Sequence, residues 1–217
     1  MTLLSFHPEI WAKPSAWTAL RFRLVRFDAL TREQIHLAAE EFGVNAELIA
    51  RIMTDESVRR DGWDLIQEAL VGLGLRLQGR VAALYWQTLE WACRRQVASF
   101  SLGRAQMKTW TLQKLGSWGY LDLPETIQEQ WRLLLSDRNA PRLVAACLRA
   151  TVDHWGEHGV SIGHRADVLA TLYSLGFTGP HGVHTNPEAS SRGLYIARHA
   201  DWLADTSGHP SMDARRA

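Results

Sequence analysis

The chain has 217 residues and a mass of 24.5 kDa, enough for one ordinary domain with a core and a concave site. Hydrophobic residues make up 46% and charged residues 22%, which excludes the disordered, collagenous and disulfide-framework classes. With 24 basic and 23 acidic side chains, the formal charge of +1 supplies no global field for nucleic acid or an anionic membrane.

Residues 1–30 read as an irregular segment packed on the domain, with residues 21–27 alternating well enough for a short strand. From Thr31 as N-cap, Ile35, Ala38, Ala39 and Phe42 recur at helical spacing, and Gly43 closes the helix. A second helix opens near Asn45; its apolar stripe runs through Ile49, Ile52 and Met53, and the next position of that stripe is Glu56. Two further stripes read as core helices: Ile66, Ala69, Leu70, Leu73 and Leu77, then Val81, Leu84, Tyr85, Thr88 and Ala92. A turn at residues 99–103 precedes a helix with Met107, Trp110, Leu115 and Trp118. Pro124 and Pro141 are expected in the first turns of the next two helices, and Leu169, Leu172 and Tyr173 mark another. Residues 176–191 form a Gly, Pro, His and Asn-rich loop before a last helix that runs to about Ala204. The expected fold is mainly α, a single domain over residues 31–205 with eight or nine helices and little β structure, followed by a disordered tail over 206–217.

Cys93 and Cys147 both lie in helix-like apolar patterns and read as buried free thiols. No window approaches the ~18 uninterrupted apolar residues of a membrane span, so no membrane span is expected. Pro8, Glu9, Lys13 and Pro14 interrupt the region where a secretory signal would hold its apolar run, and cytoplasmic synthesis is expected. His181 and His184, with His154, His158 and His164 upstream, lack a Cys or carboxylate at a recognisable ligand spacing, so neither metal nor cofactor is expected. The sequence leaves the oligomeric state open.

Glu56 is the most informative residue. The period that buries Ile49, Ile52 and Met53 also carries its carboxylate towards the interior. Desolvation there raises its pKa and can keep it protonated near neutrality, as a general acid requires. The alternative is a helix-end salt bridge to Arg59 or Arg60. Some 45 residues later, Ser101-Leu102-Gly103-Arg104-Ala105-Gln106-Met107 combines a hydroxyl, a glycine permitting close backbone approach and an amide side chain. Asp61 and Asp64 are the nearest further carboxylates, as catalytic partners or as caps of the next helix.

An acid at the end of Leu48-Ile49-Ala50-Arg51-Ile52-Met53-Thr54-Asp55-Glu56-Ser57, then Ser101 to Met107, then Leu172-Tyr173-Ser174-Leu175-Gly176 form an ordered triple. That triple resembles the lysozyme-like superfamily of goose-type lysozymes and lytic transglycosylases, over roughly residues 45–200. The resemblance implies a helical glycosidase whose partner is the glycan strand of peptidoglycan, cleaved at the β-1,4 bond between N-acetylmuramic acid and N-acetylglucosamine. It implies Glu56 as general acid, Ser101, Gly103 and Gln106 as sugar-holding groups, and Tyr173 as a residue that orients the acid. Action would then be in the cell wall or periplasm, reached by a separate export or release route.

Retaining and inverting glycosidases need a second carboxylate; a transglycosylase needs only the acid, the substrate's own hydroxyl attacking to give an anhydro sugar. The 180–187 loop is expected to wall the sugar cleft, with His184 and Asn186 as donors. Ten tryptophans against four tyrosines suggest stacking on sugar faces. Trp110, Trp118, Trp131 and Trp155 fall on apolar stripes and read as core, leaving Trp63 beside the acid as the cleft residue. Two other classes fit the same sequence. One is a non-catalytic glycan-binding or interaction domain. The other is a DNA reader, because residues 31–60 read as helix, Gly43-Val44-Asn45 turn, helix.

Overall fold

Ala145, Ala146 and Ala150 place small side chains around one helix, so its neighbours can approach from several sides. The protein, in a computed structural model that describes residues 25–198, is built around that helix. Among the described residues there are nine α-helices: α1 (Ala29–Phe42), α2 (Ala46–Arg59), α3 (Gly62–Gly74), α4 (Gly79–Cys93), α5 (Thr109–Ser117), α6 (Ile127–Leu135), α7 (Ala140–Glu157), α8 (Ala166–Leu175) and α9 (Ser191–Arg198). A 3₁₀ turn (Val97–Ser99) leads into an antiparallel pair, β1 (Ser101–Leu102) and β2 (Met107–Lys108), with Ser101 opposite Lys108. The mainly α expectation holds, and the core is one continuous cluster. No described helix is long and apolar enough to cross a membrane.

The 18-residue α7 is the hub, with 11 of its residues between Ala140 and Trp155 buried, and it packs against α1, α2, α5 and α8. Pro141 sits in its first turn, where a missing N–H costs nothing. Asn45 caps α2 by accepting from Leu48 N, and Gly43 closes α1 in the left-handed conformation at φ 61°. α1 begins earlier than Thr31: Asp28 is the N-cap and accepts from Thr31 N at 2.7 Å, leaving Thr31 inside the helix. Pro124 lies ahead of α6, whose N-cap is Thr126. Residues 25–28 form no strand; residues 1–24 and 199–217, with the remainder of the expected strand, the end of the last helix and the tail, lie outside the described residues.

α3 and α4 depart most from their stripes. Ile66, Leu73, Val81 and Leu84 are about half exposed or more, while α3 turns Gln67, Glu68, Val71 and Gly74 inward. The reason is steric and polar. Gly74 lies flush against the Trp86 ring, where a Cβ would collide, and Glu68 reaches a turn described below. α4 packs through Tyr85, whose hydroxyl donates to Leu70 O, and through Trp86, which meets Trp131 at 4.7 Å between ring centroids. Cys147 is buried and Cys93 half-buried, both free.

The short α9 docks on α8 through Gly193, where a Cβ would collide with Thr171 Oγ1 and the Asp167 carbonyl. Ser190 supports the same junction: its Oγ accepts from Gly193 N at 3.1 Å. Gly193→Ala is therefore expected to destabilise the fold by about 1–3 kcal/mol through overpacking. Thermal unfolding checks this, and an unchanged midpoint would contradict it.

Candidate active site

α2 ends with two adjacent carboxylates that face inward, and α9 supplies the cation between them. Arg192 Nε donates to Asp55 Oδ2 at 2.6 Å, and its Nη2 donates to Glu56 Oε1 at 2.8 Å. Asp55 is fully buried and also accepts from Arg59 Nε at 2.9 Å, while the Glu56 side chain keeps 13% of its surface exposed. Of the two arginines at the end of α2, Arg59 holds Asp55 and Arg60 holds Glu68, while Glu56 bonds to Arg192. Desolvation raises the Glu56 pKa to about 7; Arg192 pulls against that rise and the neighbouring Asp55 charge adds to it. Asp55 cannot substitute as a reacting group, because two arginines cover it and no surface is left for a substrate.

Glu56 opens into a cleft of about 260 Å³ lined also by Ser101, Gln106, Lys108, Trp110, Cys147, Tyr173 and Arg192. That volume lies just below the ~300–1,000 Å³ usual for small-ligand pockets. Glu56 is the sole carboxylate among the lining residues. Burial pushes the Cys147 thiol up to about 12, which leaves it inert at neutral pH.

The expected helix entry at 101–107 is a β-hairpin, because two of its residues are left-handed: Gly103 at φ 68° and Gln106 at φ 46°. A Cβ on Gly103 would strike the Leu134 carbonyl, so the glycine lets the turn lie directly on α6. Glu68 on α3, only 9% exposed, accepts from Gly103 N and from Gln106 Nε2, both at 3.1 Å, and pairs with Arg60. Gln106 Nε2 also donates to Gly103 O at 2.9 Å. Tyr173 lines the cleft, but its hydroxyl donates to Ala105 O at 2.6 Å and so fastens the turn; orientation of Glu56 falls to Arg192.

The structure brings together Glu56, Ser101, Gln106 and Tyr173, with Gly103 shaping the turn beneath them. It leaves out the other expected site residues. Asp61 caps α3, accepting from Trp63 N and Asp64 N, and Asp64 returns the capping box by accepting from Asp61 N. Trp63 is 54% exposed and does not line the cleft. His184 and Asn186 line a separate cavity of about 590 Å³ under the 176–190 loop, with Leu175 common to both cavities. Of the tryptophans read as core, Trp131 and Trp155 are buried, and their indole N–H groups donate to Thr109 Oγ1 and Phe177 O. Trp110 and Trp118 are half-buried to exposed, and Trp110 is the cleft indole. Among the described residues no group of three or more His, Cys, Asp or Glu side chains converges as a metal site.

Sequence reasoning missed Asp55, Arg192, Glu68 and Trp110. For Trp110 a signal existed: Thr109, Leu112 and Leu115 form the buried stripe of α5, one residue out of phase with Trp110. Family models, curated proteins and solved structures contain no match to this chain.

A raised carboxylate pKa is also a statement about stability. The protonated Glu56 fits the folded state, so stability is fully present below the unfolded value near 4.5 and falls as pH rises through about 7. The stability of the wild type relative to Glu56→Gln should therefore drop by about 3 kcal/mol between about pH 4 and about pH 8. Denaturant unfolding of both proteins across that range measures it; a pH-independent difference would contradict the buried-acid geometry.

Proposed function

We propose that the protein cleaves the glycan strand of peptidoglycan by transglycosylation, with Glu56 as its general acid and then its general base. The observation that carries this reading is one desolvated carboxylate with a pKa near 7 in a cleft with no second acid among its lining residues. Glu56 gives its proton to the glycosidic oxygen, and the leaving sugar departs with a new hydroxyl. The substrate's own hydroxyl closes on the anomeric carbon, and its proton returns to Glu56. This path needs neither a nucleophile about 5–5.5 Å away nor a second base for water. Arg192 holds one oxygen of Glu56 in place while its Nε is taken by Asp55, so the guanidinium is shared between the two carboxylates. Trp110 offers a half-exposed indole face at the cleft for a sugar ring.

The DNA-reading alternative asks α2 to present its side chains to a groove. Eight residues of α2, from Leu48 to Val58, are buried, and Arg59 is engaged by Asp55, which weighs against that role. The non-catalytic reading differs from ours only in turnover.

Mass spectrometry of purified sacculi after incubation separates these readings. The wild type should release muropeptides lighter by one water than hydrolysis products, and Glu56→Gln should release them at least about 100-fold more slowly. Full release by that variant would overturn the proposal. Release should also decline as pH rises through about 7, because the acid form is then lost. Trp110→Ala should raise KM about three- to tenfold with little change in kcat if the indole only holds the sugar.

A further inference from the structure

Gln106 has one amide nitrogen with two protons, and both have an oxygen to meet: Glu68 Oε1 at 3.1 Å and Gly103 O at 2.9 Å. A flipped amide would set its carbonyl oxygen against those two oxygens, neither of which can donate, so the orientation is fixed by chemistry. The Gln106 Oε1 is then the atom left for the cleft that Gln106 lines. We infer that Glu68 is a positioning residue that locks the Gln106 amide with its carbonyl outward, so that this point of the cleft selects a hydrogen-bond donor on the ligand, a hydroxyl or an amide N–H.

Three features of the fold serve this lock. Glu68 lies on the inward face of α3 at 9% exposure, where water competes little for its oxygens, and Arg60 neutralises its charge. The same Oε1 accepts from Gly103 N, so one oxygen gathers both ends of the turn. Gln106 is held at φ 46°, a conformation that L residues adopt with strain, and the side-chain bonds to Glu68 and Gly103 offset that cost. The lock also explains why α3 buries a glutamate while Ile66 and Leu73 face solvent. The inference about the ligand rests on the glycan reading; the inference about the amide does not.

The test has two arms. In the first, exchange of the Gln106 side-chain amide protons with solvent is followed by NMR in the full chain without ligand. Exchange should be at least about tenfold slower in the wild type than in Glu68→Leu, which removes the acceptor, while Glu68→Gln, which keeps a carbonyl acceptor, should restore most of the protection. Equal exchange in the wild type and a folded Glu68→Leu would overturn the lock. Should Glu68→Leu not fold, the decision falls to Glu68→Gln and to the wild type itself: Gln106 protons exchanging as fast as those of exposed glutamines in both proteins would overturn it. In the second arm, binding of an N-acetylglucosamine tetramer is titrated. Glu68→Leu and Gln106→Met should each weaken it about three- to tenfold, and the double variant no further than either alone. Additive losses would show that Glu68 acts other than through Gln106 and would overturn the positioning role. A protected Gln106 amide together with no tetramer binding by the wild type would leave the lock standing and overturn the donor-selecting role and the glycan reading beneath it.

Discussion

The contact on which the site depends is the guanidinium of Arg192 between Asp55 and Glu56. It joins the last turn of α2 to the first turn of α9, 136 residues apart, and places a cation where two adjacent carboxylates would otherwise be buried side by side. Burying unpaired charge is costly, so α9 must dock where it does or the end of α2 must turn outward. Gly193 and Ser190 set that docking distance. The two carboxylates share the guanidinium unequally. Asp55 is fully covered and has a second arginine, whereas Glu56 keeps an opening to the cleft and a pKa lifted by its burial. One ion cluster thus yields a fully covered carboxylate and one open to the cleft from neighbouring positions.

The opposite wall is made rigid by a second buried carboxylate. Glu68 gathers the 103–106 turn from below, Tyr173 fastens it from α8, and Gly103 lets it rest on the end of α6. Three helices therefore meet at a segment of eight residues whose own backbone pairs at Ser101–Leu102 with Met107–Lys108 and through Gln106 N donating to Gly103 O. A preorganised wall of this kind lowers the cost of ordering on binding, because the ordering is done by the fold before a ligand arrives.

Much of the fold was legible where local chemistry and tertiary packing agree. Asn45, Gly43 and Pro141 mark helix ends by backbone rules that hold in any context, and the stripes of α1, α2 and α7 point to the core they enter. Glu56 was legible for the same reason, since it continues a buried stripe. The apolar stripes of α3 and α4 do not mark their buried faces, because those faces are set by Glu68, Gly74 and Trp86, so the more apolar faces lie outside. The hairpin at 101–108 was hidden by a non-glycine residue in a left-handed conformation, stabilised by a partner 38 residues away. Arg192 was illegible because nothing near it in sequence says that its charge is needed at the end of α2. Trp63 lies near Glu56 along the chain, but the turn of the backbone at Arg60 and Asp61 carries it to solvent.

Burial, opposed in part by Arg192, keeps Glu56 largely protonated just below neutrality. The carboxyl ¹³C shift of Glu56, followed against pH in the intact protein, reads that directly. A titration midpoint near 7 is expected. A midpoint in the ordinary glutamate range, near 4.3, would contradict it, since the carboxylate would then be a stable anion held by Arg192 with no proton to give at neutral pH.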